Sequence, residues 1–369
     1  MSYAPRTLGP ALPLLTKSPR VERSASLFSA LPAELGARGY RNPAHAFALV
    51  QRPWLWQNGA PSFGRKDPDL RELGLAPPTI VAHSSAADGA TKLVIEVDHG
   101  DRVEAVHMPR AVGAGRVTLC ISSQVGCAMG CTFCATATMG FKRHLLAHEI
   151  IGQVLSAVNA LGPRHPGELT LVFMGMGEPL HNLPEVARAI AVLCAPGGLG
   201  LSARRITVST SGLVPEIAEL GALEPRPLLA ISVNATTDEQ RSALMPIGRR
   251  YPLAELRAAL ERFPLKPRER ITVEYVLLAG INDTPDDARR LADFCAGFSH
   301  QINLIPFNEH GASEFRAPSE DTVTAFARAL LARRPSVLTV RRSRGRDVGA
   351  ACGQLVLATT PKRRPERAE

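Results

Sequence analysis

The 369-residue sequence lacks an apolar run of about 18 residues, the length that a membrane-spanning helix needs. Its first residues also lack an apolar core followed by small residues, the pattern of a cleaved secretion signal. These two absences predict a protein of the cytoplasm. Cysteine is sparse as well, with seven residues, three of which fall within eight positions. That clustering favours metal ligands and redox residues over a framework of disulfides.

Hydrophobic residues make up 45% of the chain and charged residues 21%, proportions typical of a globular protein with a sizeable core. Arginine and lysine outnumber the acidic residues by 43 to 34, so the net charge is +9. This balance favours a polyanionic partner, because clustered cations displace counterions from a phosphate backbone. From Arg333 onward there are ten basic residues and three acidic ones. A solvated surface that ends in a loose basic tail would explain that excess equally well.

The chain divides into regions of different composition. Its first part is rich in proline, glycine and alanine and has weak helical patterns, notably at Pro43 to Val50. Two alternating runs, Lys92 to Val97 and Arg102 to Met108, flank turn-forming residues and predict a β-hairpin. We therefore predict an accessory region over 1–90, a hairpin extension over 91–114, a main domain over 115–357 and a basic tail over 358–369.

Short β-rich runs alternate with helical stretches from residue 115 onward. The strands are predicted at Val117–Ile121, Leu169–Met174, Arg205–Ser209, Leu228–Val233, Ile271–Leu278, Ile302–Ile305 and Val337–Val340. The helices are predicted at His148–Leu161, Pro184–Cys194, Pro252–Phe263, Pro285–Phe298 and Glu320–Arg334. This alternation predicts an α/β fold with parallel strands, a partial barrel of the (β/α)6 type. Active sites of such barrels lie at the carboxyl ends of the strands.

Cys127, Cys131 and Cys134 lie in a glycine-bearing loop directly after the first predicted barrel strand. Three thiolates on one loop can hold three irons of a cubane cluster and leave the fourth iron open to a cofactor or substrate. A structural zinc site would need a fourth ligand, for which His144 or His148 is available. A spacing of three and then two residues is, however, not the usual paired zinc knuckle. The pattern favours an iron–sulfur cluster over zinc.

The cysteine loop, with Phe133 before its last cysteine, resembles the signature of the radical S-adenosylmethionine (SAM) superfamily. The segment Gly175 to Pro179, which follows the second predicted barrel strand, is similar to the superfamily's Gly-Gly-Glu-Pro motif. This resemblance implies one [4Fe-4S] cluster whose open iron binds the amino and carboxylate groups of SAM. Electron transfer would then cleave SAM to a 5′-deoxyadenosyl radical.

Four further segments narrow the resemblance: 120–127, 209–212, 303–308 and 351–354. They look like the motifs of the radical SAM adenine methyltransferases that modify 23S rRNA and, in many members, tRNA. The resemblance implies methylation of carbon 2 of an adenosine. That carbon is too electron-poor to attack the methyl group of SAM as an ordinary nucleophile, so a radical addition is needed.

Three residues outside the cluster loop match catalytic residues of this family. By resemblance, Cys352 receives a methyl group from one SAM, a role that needs a reactive thiolate. The radical from a second SAM abstracts hydrogen from the S-methyl group, and the resulting methylene radical adds to the ring. Glu104 matches the general base, and Cys120 matches the thiol that forms a disulfide with Cys352 and frees the product. Without the resemblance, Glu104 would be interpreted as a solvent-facing strand residue and Cys120 as a buried apolar one.

The residues that place SAM in this family carry over to the ends of several predicted strands. They are Gly177, Glu178, Ser209, Ser232, Val233, Asn234 and Asn308. Members of the family usually have histidine where this chain has Asn234. Asparagine keeps a hydrogen-bonding group but cannot become cationic. A serine or asparagine after a strand is otherwise ordinary turn chemistry.

The segment from Arg341 to Arg346 precedes Cys352, and its arginines are candidates to hold phosphates around the target base. A target inside folded RNA would have to be flipped out to reach a buried sulfur. The N-terminal region is a further candidate for RNA contact. The resemblance also implies an electron donor such as a flavodoxin-type protein, and we expect a monomer.

Three alternatives remain open from the sequence. A relative that methylates carbon 8 of the same rRNA adenine, and confers antibiotic resistance, shares the two-cysteine mechanism. A radical SAM enzyme with a protein or small-molecule substrate is a second alternative, which the combination of Glu104, Cys120 and Cys352 disfavours. A zinc-dependent RNA-binding module without catalytic activity is the third.

Overall fold

The computed structural model describes residues 26–56, 78–110, 116–162, 166–333 and 337–357. The predicted basic tail, 358–369, lies outside these residues, as do 1–25 and 57–77 of the predicted accessory region. The last residue of the last predicted helix, Arg334, lies outside them too.

The described residues contain twelve strands, and ten of these form one sheet. The strands are β1 (Thr79–Ser85), β2 (Thr91–Glu96), β3 (Arg102–Pro109), β4 (Val117–Cys120), β5 (Gln124–Gly126), β6 (Phe141–His144), β7 (Leu169–Phe173), β8 (Ile206–Thr210), β9 (Leu228–Ser232), β10 (Ile271–Leu277), β11 (His300–Pro306) and β12 (Leu338–Val340). Their order across the sheet is β1-β2-β3-β4-β7-β8-β9-β10-β11-β12. From β4 to β12 every neighbouring pair in this order is parallel. The predicted parallel α/β fold is confirmed.

In the described part of the chain, the first two helices precede β1 and the other seven connect the parallel strands. The helices are α1 (Pro32–Ala37), α2 (Pro43–Gln51), α3 (Ala147–Leu161), α4 (Leu183–Cys194), α5 (Val214–Gly221), α6 (Asp238–Leu244), α7 (Leu253–Glu261), α8 (Pro285–Cys295) and α9 (Glu320–Leu331). Helix α8 begins where Thr284 and Asp287 cap each other's backbone amides. Among the residues described, none of the helices combines the length and apolar character needed to span a lipid bilayer.

The antiparallel strands β1, β2 and β3 extend the sheet beyond β4. The predicted hairpin is confirmed as β2 and β3, and its turn needs His99 in the left-handed region at φ 63°. Strand β1 belongs to the predicted accessory region but pairs with β2, and β3 pairs with β4. The sheet is therefore continuous across the region boundaries that we predicted at residues 90 and 114.

The parallel strands are buried because helices cover the sheet. Side chains such as Ile231, Val273 and Leu304 have no exposed surface. Continuous apolar burial is expected of strands in such a parallel sheet. The polar residues that follow these strands consequently gather at one edge, the edge of the carboxyl ends.

Candidate active site

The loop with the three clustered cysteines lies between β5 and β6, which pair with each other outside the main sheet. The Cys127 amide donates to the Gly140 carbonyl (2.9 Å), and the Thr132 amide donates to the Leu244 carbonyl (3.0 Å). Gly126 has φ 77°, and a Cβ there would overlap the Gly140 carbonyl, so only glycine fits. Backbone hydrogen bonds therefore fix the position of the loop.

Cys127, Cys131 and Cys134 line one cavity of about 170 Å³. Burial raises the pKa of all three thiols, that of Cys127 to about 12, and the charge of a neighbouring cysteine contributes to each rise. Three thiolates here need a positive partner, which a metal cluster provides by binding each sulfur. No group of three His, Cys, Asp or Glu side chains among the described residues is arranged around a single metal ion. The thiols fit a cluster that binds one sulfur on each of three irons.

His144 and His148, which we considered as zinc ligands, have other partners. On α3, His148 Nε2 lies 2.8 Å from Asp98 Oδ2. On β6, His144 Nδ1 lies 3.0 Å from Gln124 Nε2, and its ring packs against that of Phe141. Neither histidine lines the cavity of the three cysteines. Within the described residues, the structure therefore gives the zinc alternative no histidine ligand.

Glu178 is fixed in the wall of the same cavity. Its carboxylate accepts hydrogen bonds from the amides of Ser211 (2.7 Å) and Leu180 (3.1 Å), and its own amide donates to Gln124 Oε1 (2.8 Å). Burial raises the pKa of the Glu178 carboxyl, and these amides oppose the rise. Gly177 has φ 100°, and a Cβ there would lie 2.6 Å from Gln124 Cβ. The segment between Gly175 and Pro179 therefore brings backbone close to the cavity.

Most of the residues that we predicted to place SAM surround this one cavity. Ser209 and Ser232 line it from β8 and β9. Val233 does not line it, because its side chain is fully buried in the core. The predicted residues that do line the cavity are Gly177, Glu178, Ser209, Ser232, Asn234 and Asn308.

Asn234 occupies a backbone position that favours asparagine. Its φ of 54° lies in the left-handed region, which asparagine adopts more readily than most residues. Its Oδ1 accepts a hydrogen bond from the Val276 amide (2.8 Å), and its carbonyl accepts one from Asn282 Nδ2 (2.8 Å). Asn234 therefore joins the end of β9 to β10 besides lining the cavity.

Cys352 lies between two cavities. It lines the larger one together with the three clustered cysteines, and it lines a smaller pocket of about 20 Å³ together with Cys120. Asn308 Nδ2 donates to the Cys352 carbonyl (3.0 Å), and the Ala135 amide donates to the Gly353 carbonyl (2.8 Å). These bonds hold the Cys352 segment against the cluster loop.

All seven cysteines, including Cys120 and Cys352, are free thiols in the structure. A resting disulfide between these two therefore has no support, although both side chains line the same small pocket. Burial raises the pKa of Cys120 to about 12, and the nearby Cys352 contributes to the rise.

Glu104 on β3 is only 2% exposed, so its interpretation as a solvent-facing residue is wrong. Its Oε1 lies 3.2 Å from Lys92 Nζ. Burial raises the pKa of the Glu104 carboxyl, while Lys92 acts in the opposite direction. Glu104 lines neither cavity, whereas Val106, two residues further along the strand, lines the small pocket. Glu104 thus lies just beyond the residues around Cys352.

Two charged residues at this site, Arg241 and Glu274, were not predicted from the sequence, and Arg341 was predicted only as a phosphate-binding residue. The side chain of Arg241 is buried and donates to the carbonyls of Ser211 (2.5 Å) and Ser232 (3.1 Å). Glu274 and Arg341 both line the larger cavity, and Arg341 lines the small pocket too. A charged residue inside an otherwise apolar strand, as Glu274 is in β10, was the available signal.

The arginines that we predicted to hold phosphates have different surroundings. Arg341 faces the interior, Arg342 is paired with Glu320 (2.6 Å between Nη2 and Oε2), and Arg344 contacts the carbonyl of Pro109. Arg346 is exposed. Phosphate binding on the outer surface therefore remains a prediction for Arg346, since Arg341 lines both cavities, Arg342 is paired and Arg344 is bound to the Pro109 carbonyl.

Comparison with known proteins defines the class first. Residues 121–295 match the model of the radical SAM superfamily. A crystal structure of a radical SAM methyltransferase from Sphaerobacter thermophilus is 38% identical, covers 89% of this chain and 98% of its own, and superposes with a TM-score of 0.80. The fold and the cysteine loop are thus those of a radical SAM enzyme, whose cofactors are a [4Fe-4S] cluster and SAM.

Closer relatives narrow this class. The dual-specificity RNA methyltransferase RlmN of Geobacter sulfurreducens is 47% identical over 82% of this chain and 83% of its own length. The protein of the same name from Sorangium cellulosum is 53% identical over 73% of this chain and 77% of its own. The chain belongs to this family of radical SAM methyltransferases.

Proposed function

We propose that the protein methylates carbon 2 of an adenosine in 23S rRNA and in tRNA, and that Cys352 carries the methyl group. One observation supports this most strongly: Cys352 lines both the cavity of the cluster cysteines and the pocket of Cys120. A cysteine that receives a methyl group from SAM must reach the cofactor cavity. If a second thiol then frees the product from it, the cysteine must also reach that thiol. The similarity to RNA methyltransferases of dual specificity supports RNA as the substrate.

The cofactors fit the larger cavity by the chemistry of its walls. Cys127, Cys131 and Cys134 would each bind one iron of the cluster, and Glu178 with Ser209 would hold SAM. When bound there, the cluster and SAM supply a methyl group and a hydrogen-abstracting radical. Apolar side chains such as Phe133 and Phe173 line the rest of the cavity and would limit the water that reaches a radical.

The chain's own residues then have distinct roles. The Cys352 sulfur holds the methyl carbon as a thioether close to the target base. Glu104 takes the proton that leaves carbon 2, a role for which burial has raised its pKa. The Cys120 thiolate attacks the Cys352 sulfur, so that the S–S bond forms as the bond from sulfur to the methylene carbon breaks; that carbon keeps the electron pair, takes a proton and leaves as the methyl group of the base. Because Glu104 lines neither cavity, the segment with Cys352 must shift when the base enters.

We propose that RNA contacts the exposed Arg346 and the accessory region, 1–90. The main domain, 115–357, would then hold the reacting base. The hairpin extension over 91–114 carries Glu104 toward the site. We also propose a flavodoxin-type reductant, because the cluster needs an electron. A cytoplasmic location is proposed because RNA substrates of this kind reside there, and the protein is proposed to be a monomer.

The test is anaerobic incubation of the reconstituted enzyme with SAM, reductant and protein-free 23S rRNA or bulk tRNA, followed by mass spectrometry of the nucleosides. Wild type should produce 2-methyladenosine, and Cys352→Ala should produce none. Cys194→Ala is the matched control, because Cys194 lies on α4 and lines neither cavity, so it should keep full activity.

Other outcomes would overturn parts of this proposal. Formation of 8-methyladenosine would show that the protein methylates carbon 8 instead of carbon 2, as the antibiotic-resistance relative does. Cleavage of SAM without methylation of either RNA would show that the substrate is wrong. If Cys352→Ala still formed the product, Cys352 could not be the residue that carries the methyl group.

A further inference from the structure

Glu274 lies in a polar row inside the sheet. In the register of the parallel strands it is level with Ser232 on β9 and with Asn303 on β11. Its side chain lines the larger cavity, as does that of Ser232. The cavity wall that contains the predicted SAM residues therefore continues through Glu274. Arg341 and Cys352 line the same cavity.

One carboxylate oxygen of Glu274 is held by the protein. Asn303 Nδ2 donates to Oε1 (3.0 Å), and Arg341 Nη1 lies 3.9 Å from the same oxygen. The second oxygen, Oε2, is buried and has no hydrogen-bond partner among the described residues. The residue as a whole is 5% exposed. A buried acceptor without a partner among the described residues thus belongs to a side chain that lines the cavity.

Such an oxygen is costly to a folded protein unless something binds it, because it has given up its hydrogen bonds with water. Burial raises the pKa of Glu274 on balance, and both Arg341 and the hydrogen bond from Asn303 oppose part of that rise. An ionised oxygen forms a stronger hydrogen bond to an N–H donor than a neutral one does. The ligand group expected here is accordingly a hydrogen-bond donor.

We propose that Glu274 is a specificity-determining residue whose free carboxylate oxygen accepts a hydrogen bond from the 6-amino group of an adenine ring. Carboxylates accept hydrogen bonds from exocyclic amino groups when proteins recognise base edges. Arg341 lines the same cavity and offers N–H donors, which match the ring nitrogen beside that amino group. The pair presents one acceptor and one donor, the complement of an adenine edge.

Two adenine rings can supply this amino group: that of SAM and that of the target nucleotide. The second source rests on the proposed function, and the first rests only on the SAM site. Arg341 lines the pocket of Cys120 and Cys352 as well, which brings the Glu274 pair close to the sulfur that would carry the methyl group.

The experiment compares wild type and Glu274→Gln, as reconstituted holoenzymes, on RNA with either adenosine or purine riboside at the target position. Purine riboside lacks the 6-amino group. If Glu274 binds the target, wild type should lose about 10- to 100-fold in kcat/KM on purine riboside. Glu274→Gln should lose a similar factor on adenosine and nothing further on purine riboside, because both changes remove the same hydrogen bond.

A second arm measures the Kd of SAM for the same holoenzymes without reductant. If Glu274 binds the adenine of SAM, Glu274→Gln should raise this Kd about 10-fold or more. The ratio of its kcat/KM values on the two RNAs should then equal that of wild type. The inference would be overturned if the Kd of SAM were unchanged and if Glu274→Gln and purine riboside each lowered kcat/KM by its own factor, so that the two losses added up. Because this arm needs no RNA turnover, failure of the proposed function would leave it interpretable.

Glu216→Gln is the matched control. Glu216 also has a buried carboxylate oxygen without a hydrogen-bond partner among the described residues, but it lies on α5 and does not line the cavity. The control should leave the Kd of SAM and the discrimination between RNAs unchanged. Iron content and visible circular dichroism would show that both variants retain the folded, cluster-bound state.

Discussion

Asn234 shows how one residue can serve a binding cavity and the backbone at once. Its side chain lines the larger cavity, yet its Oδ1 is already committed to the Val276 amide. Its left-handed φ would be strained for a β-branched residue. The asparagine that stands in place of the family's usual histidine therefore has a structural role at the end of β9.

Replacement of Asn234 should separate these two contributions. Asn234→Gly should lower the free energy of unfolding by about 1–2 kcal/mol, because the buried Val276 amide loses its acceptor. Asn234→Ala should lose about 1 kcal/mol more, because alanine is strained at this φ. Chemical denaturation of the anaerobic protein measures both values. Equal free energies of unfolding for the two variants would show that alanine adopts the φ of 54° without strain.

At the scale of elements, the turn between β2 and β3 is fastened to β6 and α3 by a group of charges. Asp101 binds Lys142 and, through Oδ2, Arg143 Nε (2.8 Å), and Arg143 also binds Glu149 (2.8 Å between Nη1 and Oε2). Burial would raise the pKa of Asp101, but the hydrogen bonds from Lys142 and Arg143 outweigh it and lower the pKa below 3.8. The group connects the hairpin that carries Glu104 to the strand beside the cysteine loop.

This group should make stability depend on pH in a defined direction. Because the pKa of Asp101 is lower in the folded than in the unfolded protein, its stabilising effect is present above the unfolded value of 3.8 and is lost as pH falls through the folded value. Asp101→Asn should remove about 1–2 kcal/mol at pH 7. It should also flatten the decline in stability below about pH 4. Urea unfolding across pH tests this, and parallel curves for both proteins would contradict it.

The elements that were predicted best are those with long periodic patterns. Helices α3, α4 and α8 begin within one residue of their predicted starts, because apolar spacing and the cap at Thr284 are local features. Helices α5 and α6 were missed, since each is at most eight residues long. Strands β5 and β6 were missed as well, because three- and four-residue strands carry no measurable alternation. Their existence depends on the fold around the cysteine loop.

At the scale of the whole molecule, Cys127, Cys131 and Cys134 were singled out by their spacing and Cys352 by the family resemblance, and all four line one cavity. The polar row with Glu274 was not predictable, because its partners Asn303 and Arg341 come from other strands. The burial of Glu104 was not predictable either, since alternation along β3 gave it a solvent-facing side. Contacts between distant segments decide these features, and only the folded sheet brings the segments together.

The same long-range contacts connect the cluster loop to the carboxyl-terminal end of the described chain. The Ala135 amide donates to the Gly353 carbonyl (2.8 Å), and Thr136 Oγ1 donates to the Leu355 carbonyl (2.7 Å). His310 Nε2 lies 3.1 Å from the Phe133 carbonyl. The position of Cys352 thus depends on the order of the loop that holds Cys127, Cys131 and Cys134, the residues that we propose bind the cluster.

Removal of the cluster should therefore release Cys352 as well as the loop. Without metal, burial favours protonated thiols, and the loop keeps its backbone hydrogen bonds but loses the additional bonds to iron that we propose for its cysteines. We expect iodoacetamide to label Cys352 about 10-fold faster in the chelated apoprotein than in the holoenzyme, since opening of this segment becomes less costly. Peptide mass spectrometry measures the rate, and Cys194, half-buried on α4, is the internal control whose rate should not change. Equal labelling of Cys352 in both forms would mean that the segment keeps its position independently of the cluster, and that its hydrogen bonds to Ala135 and Thr136 survive without the metal.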